Sequence, residues 1–121
     1  MNKGDIFFGE RGSDAIHPII YLRPRDKNFF IGAMLTSSNS YSDNILMKEK
    51  HFKRENSKGT KYKFFFNDTH LVSTELIKRD EWKPFKKVGE LSIKGIRFVE
   101  SKLSNKNPEF WEDYLKTERK K

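Results

Sequence analysis

The chain contains no cysteine. That absence removes disulfide scaffolds, thiolate zinc sites, iron–sulfur clusters and thiol catalysis together. Apolar residues are sparse, at 35% of 121 residues. No apolar run approaches the roughly 20 residues that a membrane-crossing helix needs, so we expect no membrane partner. Histidine is limited to His17, His51 and His70. These are scattered, no His-x-x-x-His or Asp-x-Asp pattern occurs, and so neither a metal nor a cofactor is expected. There is also no Gly-rich phosphate loop, no nucleophile elbow and no dinucleotide fingerprint. The opening Met1-Asn2-Lys3-Gly4-Asp5 places an acid where an export signal needs apolar residues, which predicts a cytoplasmic protein. The length suits one domain with a single small core and leaves no room for separate cofactor and substrate domains.

What the chain has in quantity is aromatic residues and positive charge. Aromatics make up 14%, eleven of them Phe, so a few large rings must supply much of the core. Lys and Arg total 25 against 17 Asp and Glu, a net of +8. The excess is lopsided. Met1 to Met47 balances five bases with five acids, so Lys48 to Lys121 carries all of the net charge. The densest stretch is Lys48 to Lys63, where Lys48, Lys50, Lys53, Arg54, Lys58, Lys61 and Lys63 face only Glu49 and Glu55. Such asymmetry favours a polyanionic partner, nucleic acid before membrane, over a merely solvated lysine-rich surface.

Short apolar runs separated by polar clusters predict a mainly β chain. Strands are expected at Ile6–Phe8, Pro18–Leu22, Phe29–Leu35, Ile45–Met47, Lys61–Phe66 and Leu71–Ile77. The unbroken run Pro18–Leu22 reads as a strand covered on both faces, and Phe29–Leu35 is another apolar run. The turn cluster Arg23-Pro24-Arg25-Asp26-Lys27-Asn28 joins them as a hairpin. Thr36 to Asn44 and Lys53 to Thr60 read as mobile loops. Asp80 can cap a turn carrying Trp82 and Phe85, and Gly89 breaks the chain. Ser92 can cap a helix reaching about Leu103, with Ile93, Ile96, Val99 and Leu103 on one stripe. Asn107-Pro108 reads as a second helix start, with Phe110, Trp111, Tyr114 and Leu115 on its apolar face. The expected fold is α+β: a small, bent barrel of five to seven strands with C-terminal helices. Residues 1–105 form the barrel with its closing helix, and 106–121 a helical extension with a charged tail.

The order of these elements resembles the MazF/PemK toxin family. The resemblance rests on a Gly4-Asp5-led first strand, a residue–Pro start to the second strand at His17-Pro18, and a strand ending Ala33-Met34-Leu35-Thr36-Ser37. A late strand and Val88-Gly89-Glu90-Leu91-Ser92 opening a helix complete the set, which covers most of Gly4 to Leu103. It implies an SH3-like barrel, often a homodimer, that acts as a metal-independent endoribonuclease restrained by a protein antitoxin. The carry-over is partial. Thr36-Ser37 matches the family's Thr-Ser, whereas His17 stands where the family has a catalytic Arg. The late-strand acid and Arg pattern is not reproduced near Thr74-Glu75-Leu76-Ile77. A barrel of the same fold that has lost cleavage, and binds only nucleic acid or a protein, is the alternative.

Cleavage of RNA requires a base for the 2′-hydroxyl, an acid for the leaving 5′-oxygen and donors for the phosphoryl oxygens. His17 suits acid or base duty, or else it is a capping histidine before a proline. Thr36 and Ser37 can offer hydroxyls to phosphate, or simply begin a Ser/Asn loop. Glu75 is a candidate base or a partner for His17, or an outward-facing strand residue. Arg23 and Arg25, flanking Pro24, can clamp one phosphate, or remain solvated turn charges. Lys48, Lys50, Lys53, Arg54, Lys61 and Lys63 are the candidate backbone contacts. Tyr62, Phe64 and Phe66 fall on one strand face and read as core, leaving Phe65 on the lysine face as a base-stacking or dimer-contact residue.

Overall fold

In the computed structural model the described residues are 2–9, 18–36, 44–62, 66, 69–79, 85–103, 108–110 and 113. In chain order the elements are β1 (Asp5–Gly9), β2 (Ile19–Pro24), β3 (Phe29–Thr36), β4 (Asn44–Met47), β5 (Thr69–Val72), β6 (Leu76–Arg79), β7 (Phe85–Glu90), α1 (Ile93–Lys102) and β8 (Glu109–Phe110). A single 3₁₀ turn, Glu49–His51, follows β4. The chain is mainly β with one helix towards its C-terminal end, a small barrel-like α+β fold whose sheet stays open.

The two unbroken apolar runs form the centre of the sheet. β2 and β3 make an antiparallel hairpin with Ile20 opposite Ala33 and Ile19 opposite Met34. Alternate residues of a strand point to opposite faces. Ile20, Leu22, Ile31, Ala33 and Leu35 accordingly enter the main core, while Ile19, Phe30 and Met34 join Val72 and Leu76 in a second cluster. Both strands are covered on both faces, as expected for Pro18–Leu22. The Tyr21 and Phe30 rings lie 5.4 Å apart in the second cluster.

β3 is the pivot of the fold. One edge pairs with β2. The other edge is shared, with β6 along Phe29–Gly32 and β5 at Leu35 and Thr36. The expected single strand Leu71–Ile77 is therefore two strands. β5 serves β3 and β4, β6 serves β3 and β8, and Ser73-Thr74-Glu75 makes the step between them. The main path through the eight-stranded sheet is β4-β5-β3-β2-β1-β7, with β6 and β8 branching from β3, and with register shifts at Ile6/Phe7 and Tyr21/Arg23. Irregularities of this kind bend and twist a sheet.

Glycine and proline account for two further differences from expectation. Gly89 does not break the chain; it sits inside β7 opposite Ile6. Its absent side chain makes room, since a Cβ there would lie 2.9 Å from Phe66 Cε2. At Glu109–Phe110, where Pro108 suggests a helical first turn, the chain is instead extended. The open edge of β6 captures it in parallel pairing, Leu76 with Glu109 and Ile77 with Phe110.

α1 begins where Ser92 predicts. The Ser92 hydroxyl accepts a hydrogen bond from the Gly95 N–H at 3.1 Å, a side-chain N-cap. Val99 is fully buried and Ile96, Phe98 and Leu103 pack on the main core. Ile93 is 68% exposed and so leaves the expected stripe. No helix among the described residues is long and apolar enough to cross a membrane.

Candidate nucleic-acid interface

The basic stretch that opens at Lys48 folds into a wall and a hairpin. Its anchor is β7. Phe52 bridges to Leu91, and the Lys53 N–H donates to the Glu90 carbonyl at 2.9 Å. The chain then turns back, with Glu55 bridging to Lys61 and the Tyr62 N–H donating to the Arg54 carbonyl at 3.0 Å. The turn is closed by Asn56, whose Oδ1 accepts from the N–H groups of Lys58 and Thr60. Gly59 takes a left-handed φ of +80°, which its lack of a Cβ allows. The Lys53 to Thr60 segment, expected as a mobile loop, is thus a hydrogen-bonded hairpin end. Lys61 returns along it as a bridge to Glu55, and residues 63–65 of the expected strand Lys61–Phe66 lie outside the described residues.

Between this hairpin and the 3₁₀ turn lies a cleft of about 160 Å³, lined by Glu49, Phe52, Lys53, Arg54, Lys61, Tyr62 and Phe66. The Phe52 and Phe66 rings stack 5.3 Å apart at 26°. Gly89 supplies the space into which Phe66 fits. Tyr62 stands beside them with its hydroxyl donating to Glu90. Burial, followed by that hydrogen bond, raises the Tyr62 pKa well above its ordinary value and keeps the phenol protonated.

Three cations ring the aromatic residues, and each is exposed. Lys53 Nζ lies 3.7 Å from Glu90, and Arg54 pairs with Glu49. Lys61 has no carboxylate partner among the described residues. Pairs made by exposed cations are weak, and they leave donors of Lys53 and Arg54 open to a phosphate as well. A cleft with π-faces and a cationic rim can stack an unpaired base and neutralise its phosphates.

The other candidate residues are dispersed. Lys48 and Lys50 are exposed near the cleft, and their backbone groups are in use. The Lys48 N–H donates to His51 Nδ1 at 2.9 Å, and the Lys50 carbonyl accepts from Ser92 Oγ at 2.7 Å. Lys63 and Phe65 lie outside the described residues. Arg23 and Arg25 do not clamp a common site. Arg23 forms a two-pronged ion pair with Glu75 at 2.6 and 3.0 Å, which raises the guanidinium pKa above its ordinary value. Arg25 pairs with Asp26 at 3.2 Å and sits 5.6 Å from the ring centres of both Phe29 and Phe110. Glu75, the candidate base, is thereby committed to Arg23.

At the β3 end the picture is different. The Leu35 N–H donates to the Pro18 carbonyl at 2.9 Å, so the residue after His17 lies against the residue before Thr36. His17 and Ser37 themselves lie outside the described residues. Directly across from Thr36 stands His70, which also faces Leu46 on β4. His70 Nδ1 is buried and has no hydrogen-bond partner among the described residues. His51, by contrast, is structural. Its ring is buried, stacks 4.3 Å from Phe98, and accepts the Lys48 N–H at Nδ1. Burial first, then Lys50 and Lys48, lower its pKa below the ordinary value.

Phe52, Glu49 and His70 are site residues that local pattern alone does not reveal. The Asn56 to Gly59 turn between Glu55 and Lys61 is the one sequence signal that points to the hairpin and hence to the cleft. Among the described residues no group of acids and histidines is placed to hold a metal. Comparison with protein-family models, with characterised proteins and with solved structures finds no match. Fold and site therefore carry the functional reading by themselves.

Proposed function

We propose that this chain is a single-stranded RNA-binding barrel acting in the cytoplasm, and that the cleft between the 3₁₀ turn and the 52–62 hairpin takes one unpaired base. The observation that carries the reading is the coincidence of three exposed cations with the Phe52, Tyr62 and Phe66 rings in one cleft. The cleft has about the bulk of a single nucleobase. A base held in a duplex cannot enter it, whereas a splayed base can stack there with its phosphates against Lys53, Arg54 and Lys61. Binding of a fluorescent single-stranded oligoribonucleotide, followed by anisotropy, tests this. Affinity that falls steeply with salt and is lost in a Lys53→Ala, Arg54→Ala, Lys61→Ala triple variant supports the reading. Salt-insensitive binding, or none, sinks it.

A second reading is favoured by the β3 end. The MazF/PemK resemblance implies metal-independent cleavage, and the Pro18–Leu35 bond together with the Thr36–His70 pair gathers hydroxyl and imidazole chemistry towards one strand end. In that reaction the 2′-oxygen attacks phosphorus and its proton passes to an imidazole, His17 or His70. The 5′-oxygen departs with a proton, leaving a 2′,3′-cyclic phosphate and a 5′-hydroxyl. A homodimer and a protein antitoxin belong to this reading. New 5′-hydroxyl RNA ends that disappear in Thr36→Ala and His17→Ala support it; RNA left intact by the wild type refutes it while the binding reading stands.

A further inference from the structure

Glu49 is the one carboxylate among the residues lining the cleft. Every other charged group there is a cation, and the Tyr62 hydroxyl is already engaged with Glu90. Arg54 pairs with the Glu49 carboxylate, which orients it. The Glu49 carbonyl accepts the Phe52 N–H at 3.1 Å, so the acid is held one 3₁₀ turn from the ring stack.

A carboxylate only accepts hydrogen bonds. The four bases differ in what their Watson–Crick edges give it. Guanine offers two adjacent donors, N1–H and the 2-amino group, matched in spacing to two carboxylate oxygens. Adenine and cytosine each offer one amino group beside a ring-nitrogen lone pair that repels the acid. Uracil offers a single N–H between two carbonyl oxygens. Resting on the RNA-binding reading, we infer that the cleft selects guanine, with Glu49 as the specificity-determining residue and Arg54 as its positioning partner. The cationic rim then serves the phosphates and carries no preference among bases.

The test uses two labelled heptaribonucleotides, oligouridine with a central guanine and the same strand with a central adenine. The wild-type chain should bind the guanine strand about tenfold more tightly, the low end of what one two-pronged base contact provides. Glu49→Gln, which replaces one acceptor with a donor, should bring that ratio close to one; Glu49→Ala should do the same. Thermal melting of each variant checks that the fold persists. Equal affinity of the wild type for both strands, with both bound, overturns the guanine assignment and leaves RNA binding intact. A guanine preference that survives in both variants overturns the role of Glu49. Failure of the wild type to bind either strand removes the reading beneath.

Discussion

Lys61 offers the sharpest test of the cleft. Its ammonium is exposed, and no carboxylate competes for it among the described residues, whereas Lys53 and Arg54 are partly engaged by Glu90 and Glu49. Removing an exposed side chain of this kind changes stability by no more than about 0.5 kcal/mol, so Lys61→Ala should stay folded. Its effect should appear in the salt dependence of RNA binding. Each phosphate neutralised on a single strand contributes about 0.7 to the slope of log affinity against log salt. Lys61→Ala should therefore flatten the slope by about 0.7, equivalent to roughly a 2.6-fold smaller loss of affinity for a fourfold rise in salt. The triple variant lacking Lys53, Arg54 and Lys61 should flatten it by about 2, roughly 18-fold over the same range. Anisotropy titrations at several potassium chloride concentrations read both values directly. Lys27, exposed in the β2–β3 turn on net-neutral chain, is the control. A Lys61 slope equal to wild type, or a Lys27→Ala slope changed as much, refutes the cleft as the phosphate contact.

Three further outcomes follow, two from the packing behind the cleft and one from the Arg23–Glu75 pair away from it. Gly95→Ala should lower the melting temperature by several degrees, because the new Cβ would lie 2.0 Å from the His51 carbonyl oxygen. Overpacking costs about 1–3 kcal/mol, set against a helix-propensity gain of about 1 kcal/mol, and a rise in melting temperature would contradict the close approach. Because the His51 pKa is lowered in the folded state from 6.5, folding stability is fully present above about pH 6.5 and is lost as pH falls through the lower folded value. Urea unfolding at several pH values should show that loss in the wild type and a flatter profile in His51→Asn, which keeps an acceptor for the Lys48 N–H but does not titrate. Arg23→Ala should cost less than about 1 kcal/mol, since the pair with Glu75 is half-exposed, and should leave the RNA salt slope unchanged; a flattened slope would restore Arg23 as a phosphate contact.

Local pattern made much of the fold legible. The runs Ile19–Leu22 and Phe29–Leu35 carry no charged or strongly polar residue, as suits a strand buried on both faces, and both are so buried. Ser92 announced the start of α1 because capping is chemistry between residues three apart. Pairing between distant strands left no such mark. Nothing near Leu71–Ile77 says that β3 will present two different partners along one edge, so the break at Ser73–Glu75 could not be read. Pro108 is compatible with either a helix start or an edge strand, and the open edge of β6 decided for the strand. The same limit applies to the site. The charge count located the basic limb at Lys48 to Lys63, but the pairing of Arg23 with Glu75 joins residues 52 positions apart. The opposition of His70 to Thr36 is likewise a matter of register alone.

The cleft owes its shape to contacts outside it. One wall, Glu49 to Phe52, is a single 3₁₀ turn, too short to hold its own geometry. It is held from behind by α1. The Ser92 hydroxyl donates to the Lys50 carbonyl at 2.7 Å, the Ser92 N–H donates to the His51 carbonyl at 2.9 Å, and Gly95 lets the helix backbone close onto that carbonyl. The opposite wall hangs on β7 through the Lys53 N–H and the Tyr62 hydroxyl, both on Glu90. Ser92 therefore does two jobs with one hydroxyl: it accepts the Gly95 N–H in the first turn of α1 and donates to the wall that carries Glu49. A site on fixed elements spends less of its binding energy on ordering itself, which is what a shallow, partly solvated cleft needs if a single stacked base is to be held with any selectivity.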